Sequence, residues 1–142
     1  MKTPILAPVV ALVLWTLVMM LWMVFTRLPA MRAAGISFKG MVGGRGSDLD
    51  RMVPAPVQWK AHNYNHLMEQ PTLFYATTLT LAVAGLGDGL NVTLAWSYVV
   101  LRIIHSLVQA TINIVRFRFM AFAIASLVLL AMAVRAGLGL LG

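Results

Sequence analysis

The sequence predicts an all-α membrane protein built as a four-transmembrane-helix bundle. Two observations predict this class: 61% of the 142 residues are hydrophobic, and only 11% are charged. Soluble domains have about 45–50% apolar and about 25% charged residues, and the mean hydropathy of +0.87 points the same way. The composition excludes a soluble domain, a disordered chain and a folded surface that reads nucleic-acid bases. The length allows about four spans of about 20 residues and one modest loop, in a single domain.

The first predicted span covers about residues 5–26, which contain no charged side chain. A secretory signal is the alternative, because Lys2 precedes the run, but the run exceeds the 7–15 apolar residues typical of a signal. Glycine, proline and basic residues interrupt residues 28–56, which predicts a loop that can hold a short interfacial helix. Residues 43–47 resemble a phosphate loop only weakly, since the Gly-Lys-Ser/Thr ending and a preceding strand are missing.

The second predicted span combines a polar half and an apolar half. Its apolar half alone is too short to cross a membrane, so the helix has to begin just after Pro56, with its polar residues facing protein. Pro71 is expected to kink this helix and to free the carbonyl group of Leu67. The second, third and fourth spans are predicted at residues 57–86, 90–115 and 118–139.

Basic residues are concentrated on one side of the predicted bundle. Four spans place both termini on one side, and the loop of residues 28–56 lies on the other side with the turn after the third span. Eight basic residues belong to the loop side: Arg27, Arg32, Lys39, Arg45, Arg51, Lys60, Arg116 and Arg118. The terminal side has only Lys2 and Arg135. By the positive-inside rule the loop is cytoplasmic and the termini are extracytoplasmic, so the net charge of +7 reflects topology and anionic lipid rather than nucleic acid.

Polar side chains follow one face of the second span and one face of the third. The stripe on the third span consists of Arg102, His105, Gln109, Asn113 and Arg116. The stripe on the second span consists of His62, Asn65, His66 and Glu69, with Lys60 and Asn63 beside it. Spacings of three and four residues keep side chains on one helical face. The two stripes therefore predict a common polar seam inside the bundle.

Glu69 and Arg102 are predicted to lie at matching depth near the middle of the membrane. Helix rise places Glu69 roughly 18 Å from the start of its span, and Arg102 roughly 21 Å from Arg116. An unpaired charge at that depth costs at least about 2.5–3.5 kcal/mol. We therefore expect the two side chains to interact, directly or through a bound ligand. An architectural ion pair and a ligand-binding role are both open, and the amides of the seam can also be interhelical contacts without further function.

The sequence does not favour a metal site or a nucleophile of the protein's own. His62 and His66 have the i, i+4 spacing of a ligand pair, but no carboxylate stands where a third ligand is needed. The absence of cysteine excludes disulfides, thiolate metal ligands and a thiol nucleophile.

Two segments of the polar seam resemble motifs of the MAPEG family, the membrane-associated proteins in eicosanoid and glutathione metabolism. Residues 60–71 resemble the second-span motif, in which a basic residue is followed by Asn, Glu and Pro. Residues 102–105 resemble the third-span Arg-x-x-His/Tyr motif, and Arg116 stands fourteen residues after Arg102, where family enzymes place the arginine credited with stabilising the glutathione thiolate. Lys60 in place of Arg, Met68 at the expected Glu position and Gln109 in place of a tyrosine resemble the bacterial branch.

The resemblance implies a homotrimer with glutathione as co-substrate, bound between neighbouring subunits of a multi-pass protein of the bacterial inner membrane. It implies a glutathione-dependent transferase or peroxidase for lipophilic electrophiles, with Arg116 as the catalytic residue. The implied glutathione-binding residues are Lys60, His62, Asn63, Asn65, Glu69, Arg102, His105, Gln109 and Asn113. A noncatalytic lipid-binding or scaffold protein of the same fold is the alternative. A proton- or solute-conducting bundle is a third reading, but residues 92–101 offer little polarity to continue such a path.

Overall fold

The computed structural model describes residues 3–141, so Lys2, which entered the count of basic residues, lies outside the described residues. The described chain is helical throughout apart from its turns and one loop. Its elements in chain order are α1 (Leu6–Ala33), a 3₁₀ segment (Gly46–Arg51), α2 (Ala55–Leu67), α3 (Pro71–Val83), α4 (Gly89–Ala110) and α5 (Val115–Leu141). Three of these helices, α1, α4 and α5, are long and apolar enough to cross a membrane. The all-α membrane class predicted from the sequence is confirmed.

Helix α1 is longer than the first predicted span, because it continues past the apolar run to Ala33. Its 28 residues correspond to roughly 42 Å at 1.5 Å per residue, which exceeds the roughly 30 Å hydrocarbon core. Only a narrow stripe of α1 is buried in the protein, centred on Leu12, Thr16 and Met19. The other apolar side chains of α1 point outward, as expected for a helix surrounded by lipid. The last two turns, with Arg27 and Arg32, extend beyond the apolar segment.

The second predicted span is interrupted before Pro71, where the sequence predicts a kink. Helices α2 and α3 have 13 residues each, and residues 68–70 between them belong to neither helix, although Met68 and Gln70 keep right-handed helical dihedral angles. Pro71 explains the break, because it has no N–H to donate to the carbonyl of Leu67 and its ring excludes that carbonyl. Proline at the first position of a helix is favourable, so α3 begins there. The chain between the halves is held by Gln70, which donates to Ser126 Oγ at 2.7 Å and accepts from the hydroxyl of Tyr98 at 3.2 Å.

Helix α4 ends at Ala110, five residues earlier than the third predicted span. Asn113 then adopts a left-handed conformation with φ of +50°, which asparagine tolerates better than most residues. Its backbone N–H bonds the carbonyl of Val108 at 2.7 Å and so satisfies the end of the helix. Helix α5 begins at Val115, so Arg116 lies on α5 and does not continue the polar stripe of α4. The predicted single face through Arg102, Asn113 and Arg116 is therefore wrong.

The core lies where α4 packs against α5 and against the inner faces of the other helices. The ring of Phe74 on α3 stacks on the ring of Tyr98 on α4, with centroids 4.5 Å apart. Alanines on α5, among them Ala121 and Ala125, are buried and allow α4 to approach closely. At the end of the bundle opposite the loop, Asn91 donates to the carbonyl of Leu86 at 2.8 Å. These contacts fix α4, which carries most of the buried polar side chains.

Candidate functional site

A cavity of about 390 Å³ lies between α2, the C-terminal part of α4 and the start of α5, at the loop end of the bundle. Its lining combines polar side chains with apolar ones from α5. The lining residues are His62, His66, Glu69, His105, Gln109, Val115, Arg118, Phe119 and Phe122. A cavity with a polar wall and an apolar wall suits a ligand or a pair of ligands of mixed polarity.

Two histidines form the inner part of the polar wall. The rings of His66 and His105 have centroids 4.8 Å apart, and Phe122 lies 5.4 Å from the ring of His66. Nδ1 of His105 and Oε1 of Gln109 are buried and have no hydrogen-bond partner in the described part of the chain. A buried polar atom without a partner is unfavourable by about 1–3 kcal/mol. These two atoms therefore favour a ligand that supplies the missing hydrogen bonds.

Arg102 is fully buried behind this layer of rings, with 0% of its surface exposed. Its Nη2 donates to the backbone carbonyl of His66 at 3.2 Å, where α2 approaches its end. Its Nε and Nη1 have no partner among the described residues. The guanidinium also lies 5.8 Å from the ring centre of Phe122. The end of α2 thus supplies a backbone acceptor, the carbonyl of His66, for the guanidinium of Arg102. The rest of the core leaves the other nitrogens of this guanidinium without hydrogen bonds among the described residues.

Glu69 does not form the predicted direct ion pair with Arg102. Its side chain is 68% exposed and accepts a hydrogen bond from Nδ1 of His66 at 3.0 Å, and no salt bridge joins Arg102 to a carboxylate within residues 3–141. Glu69 stays beside His62 on the exposed wall of the cavity, whereas Arg102 is fully buried and does not line it. A contact mediated by a bound ligand stays a prediction.

Several predicted binding residues lie away from the cavity. Lys60 donates to the carbonyl of Pro56 at 2.8 Å and stands over the ring of Trp22 at 5.4 Å. Asn63 is buried and donates to the hydroxyl of Ser106, whereas Asn65 is exposed. The structure thus brings together His62, Glu69, His105 and Gln109 around the cavity. It does not bring Lys60, Asn63 or Asn65 to it.

Arg118 is the cavity residue that the sequence reasoning missed. It lines the cavity, and its Nη1 donates to Oδ1 of Asn113 at 2.7 Å. Arg116 is exposed and does not line the cavity. The inward position of Arg118 could have been inferred from the alanines of the fourth span. Ala121 and Ala125 mark the inner face of this helix, and Arg118, three residues before Ala121, lies on the same face.

A polar cluster holds the 3₁₀ segment against the start of α2, beside the cavity mouth. Asp50 accepts hydrogen bonds from Nε2 of Gln58 at 2.6 Å and Nε2 of His62 at 2.9 Å. The hydrogen bond with His62, followed by that with Gln58, lowers the pKa of Asp50 below its ordinary value. Arg27 of α1 donates to Oε1 of the same Gln58. The cluster therefore fixes one edge of the cavity through His62.

A family model for the MAPEG family matches residues 5–138, nearly the whole chain. The chain belongs to the MAPEG family. No curated protein and no solved structure matches it. Family membership makes this MAPEG protein a membrane protein of the glutathione and eicosanoid metabolism family, as the motifs at residues 60–71 and 102–105 indicated.

Proposed function

We propose that this MAPEG protein is a glutathione-dependent transferase or peroxidase that acts on lipophilic electrophiles. The observation that carries the proposal is the cavity at the loop end, which combines hydrogen-bonding and charged groups with an apolar wall. Family membership supplies the expectation of glutathione, and the cavity supplies groups of the chemistry that glutathione needs. Glutathione is an anionic tripeptide, so its binding requires cations, hydrogen-bond partners for amides and an acceptor for its ammonium group.

The cavity offers one guanidinium, one carboxylate and hydrogen-bonding groups for amides. The guanidinium is that of Arg118, which can form a charge-assisted hydrogen bond to an anionic group of glutathione. Glu69 can accept from the ammonium group, and it already lies beside His66 at the rim. The unpartnered atoms of His105 and Gln109 can bond the peptide amides. Arg102 lies behind the rings, so we assign it the role of placing positive charge beneath the site and holding the end of α2.

The chemical step requires a thiolate. A free thiol has a pKa of about 8.5, and an adjacent guanidinium lowers it. The family resemblance assigns this role to Arg116, whereas the single chain places Arg118 at the cavity. We propose that Arg118 stabilises the thiolate, with Arg116 as the competing assignment. The thiolate sulfur then bonds the electrophilic carbon, the leaving group departs with the electron pair of its bond, and the thiol proton goes to solvent.

The lipophilic substrate is proposed to enter from the membrane along the start of α5. Phe119 is 65% exposed and Val115 is 63% exposed, and both line the cavity. An apolar molecule dissolved in lipid can therefore reach the cavity without crossing water. This arrangement explains why the polar wall is formed by α2 and α4 and the apolar wall by α5.

A matched pair of arginine variants tests the proposal. Calorimetric titration of glutathione into the detergent-solubilised protein measures binding, and conjugation of an apolar electrophile measures activity. Arg118→Gln should lose most of the conjugation rate at neutral pH, and the deficit should narrow as the pH rises towards about 8.5. Arg116→Gln is the control and should retain activity. The opposite pattern would return the role to Arg116, and absence of glutathione binding in the wild-type protein would favour the noncatalytic lipid-binding or scaffold alternative.

We also propose that the protein is a homotrimer. Family membership supports this proposal, and so does the polar seam, in which buried atoms of Arg102, His105 and Gln109 have no partner among the described residues of one chain. The mass of the complex in detergent is the deciding measurement. Native mass spectrometry should report three chains, and a monomeric mass in every detergent tested would refute the trimer.

A further inference from the structure

A second cavity, of about 570 Å³, lies between the end of α1 and the loop and has no part in the proposed reaction. Helix α1 contributes Arg27 and Met31 to its lining. The loop contributes Phe38, Met41 and Val42 together with backbone around Gly44. The loop therefore folds back along α1 to the level of Arg27. Because the apolar run of α1 ends just before Arg27, this level is the polar boundary of the membrane.

The tip of the loop is apolar and exposed. Phe38 is 64% exposed, Met41 is 54% exposed and Val42 is 97% exposed. Side chains of this kind prefer an apolar environment by about 25 cal/mol per Å² of surface removed from water. Their position beside the end of α1 places that environment within reach, since the outer surface of α1 faces lipid. The exposed tip is thus suited to contact the acyl region next to α1.

The same cavity carries a cation with a free donor. Nε and Nη2 of Arg27 donate to Oε1 of Gln58, which leaves Nη1 without a hydrogen bond among the described contacts. A Cβ atom at position 46 would come within 3.2 Å of this Nη1, so Gly46 keeps the approach to the guanidinium open. Arg45 adds a second guanidinium to the lining, and Asp48, which accepts from the backbone N–H of Arg45 at 2.7 Å, adds one carboxylate.

The charge of the surrounding segment matches an anionic ligand. Residues 27–60 contain six basic residues and two acidic ones, a net charge of +4. Clusters of basic residues beside a transmembrane helix attract anionic lipid headgroups, by about 1 kcal/mol for each Lys or Arg near the surface. The apolar surface of the tip favours a phospholipid over a simple anion as the ligand, because a simple anion has no acyl chains to cover that surface.

We propose that this cavity binds the phosphate group of an anionic phospholipid, with Arg27 and Arg45 contacting the phosphate and Phe38, Met41 and Val42 packing against the acyl chains. The site shares no lining residue with the proposed glutathione cavity, although Arg27 also bonds Gln58 of the cluster that holds His62. Its ligand is recognised by the combination of negative charge and adjoining apolar chains. Binding would fix the loop against the membrane surface.

The test is equilibrium binding of a short-chain, fluorescently labelled phosphatidylglycerol to the full-length protein, delipidated and held in a nonionic detergent. Arg27→Gln removes the charged donor and should weaken binding about tenfold or more. Arg32→Gln is the matched control, because Arg32 is exposed on the same helix and does not line this cavity; it should bind within about twofold of wild type. Val42→Ser tests the apolar tip without adding charge, at a position that is 97% exposed, and it should also weaken binding.

Three results would overturn the proposal. Equal affinity for phosphatidylcholine of the same chain length would show that charge is not recognised. Displacement of the labelled lipid by inorganic phosphate at a comparable affinity would identify a phosphate site without a role for the apolar tip. Unchanged lipid binding in Arg27→Gln, together with a change in the mass of the complex, would identify the face as a contact between copies of the chain.

Discussion

Replacement of Arg102 by methionine gives the sharpest test of how this protein holds a charge in its core. The side chain is fully buried, makes one hydrogen bond to the His66 carbonyl and leaves two nitrogens without partners among the described residues. An arginine at the centre of a membrane helix is unfavourable by about 2.5–3.5 kcal/mol. A hydrogen bond from a charged donor contributes about 1.5–3 kcal/mol. The two contributions nearly cancel, so Arg102→Met should change the free energy of unfolding by about 1 kcal/mol or less.

If Arg102 belonged to a buried ion pair, Arg102→Met would lower the free energy of unfolding much more. Removal of one partner of such a pair is unfavourable by about 3–5 kcal/mol, because the other charge is left alone. The measurement is the unfolding equilibrium in mixed micelles with increasing sodium dodecyl sulfate, followed by circular dichroism. Val100→Met, at a lipid-facing position of α4 that is 51% exposed, controls for the introduction of methionine. A loss of about 3 kcal/mol or more in Arg102→Met alone would refute the reasoning.

A double-mutant cycle adds the second criterion. Glu69→Gln alters an exposed side chain whose pairing with His66 is solvent-screened, so it should change stability by less than about 1 kcal/mol. The coupling energy between Glu69→Gln and Arg102→Met should stay below about 0.5 kcal/mol, as for independent sites.

Glutathione at one hundred times its dissociation constant stabilises a binding protein by about 2.7 kcal/mol. A smaller gain in Arg102→Met than in wild type would show that the unsatisfied arginine serves ligand binding.

Three further predictions concern the ends of the bundle. The hydrogen bond with His62 lowers the pKa of Asp50 in the folded protein. The carboxylate therefore stabilises the fold above the pKa that Asp50 has in the unfolded chain, and this stabilisation is lost as the pH falls below that value. The thermal denaturation of Asp50→Asn should depend less on pH than that of the wild-type protein between about pH 3 and 5. Asn91→Leu leaves the Leu86 carbonyl unpartnered and should lower the free energy of unfolding by about 1–3 kcal/mol, measured by detergent titration. Cysteine at Ser47 should resist an impermeant reagent in intact cells, and labelling before permeabilisation would reverse the predicted topology.

The helical class could be predicted from the sequence because the information is local. Hydropathy is a property of each segment, and a membrane admits few structures that satisfy every backbone group. The start of α2 was predictable for the same reason, since the apolar part after Pro71 is too short to cross by itself. The break at residues 68–70 was less accessible, because a proline in a membrane helix is compatible with a kink as well as with an interruption. The side chain of Gln70 holds this link against α4 and α5.

The site could be predicted where the pattern stayed on one helix or ran only into the short link after α2, as for His62 and Glu69. His105 and Gln109 lie four residues apart within α4 and line the same cavity, as the periodicity indicated. The periodicity failed beyond Ala110, where the left-handed Asn113 resets the direction of the chain. A regular spacing of three and four carries no warning of such a turn, because asparagine is also an acceptable residue within a helix.

The turn at Asn113 also explains why the cavity takes Arg118. With the helix ended at Ala110, the chain re-enters the bundle on α5, whose inner face is set by Ala121 and Ala125. Arg118 lies one turn before Ala121 on that face. Its guanidinium donates to the side chain of Asn113, the residue whose backbone forms the turn between α4 and α5. Asn113 therefore both turns the chain and orients the guanidinium of Arg118. If Arg118 has the proposed role, Asn113→Gly should weaken conjugation by releasing that guanidinium, because glycine tolerates the left-handed conformation and Asn113 itself does not line the cavity.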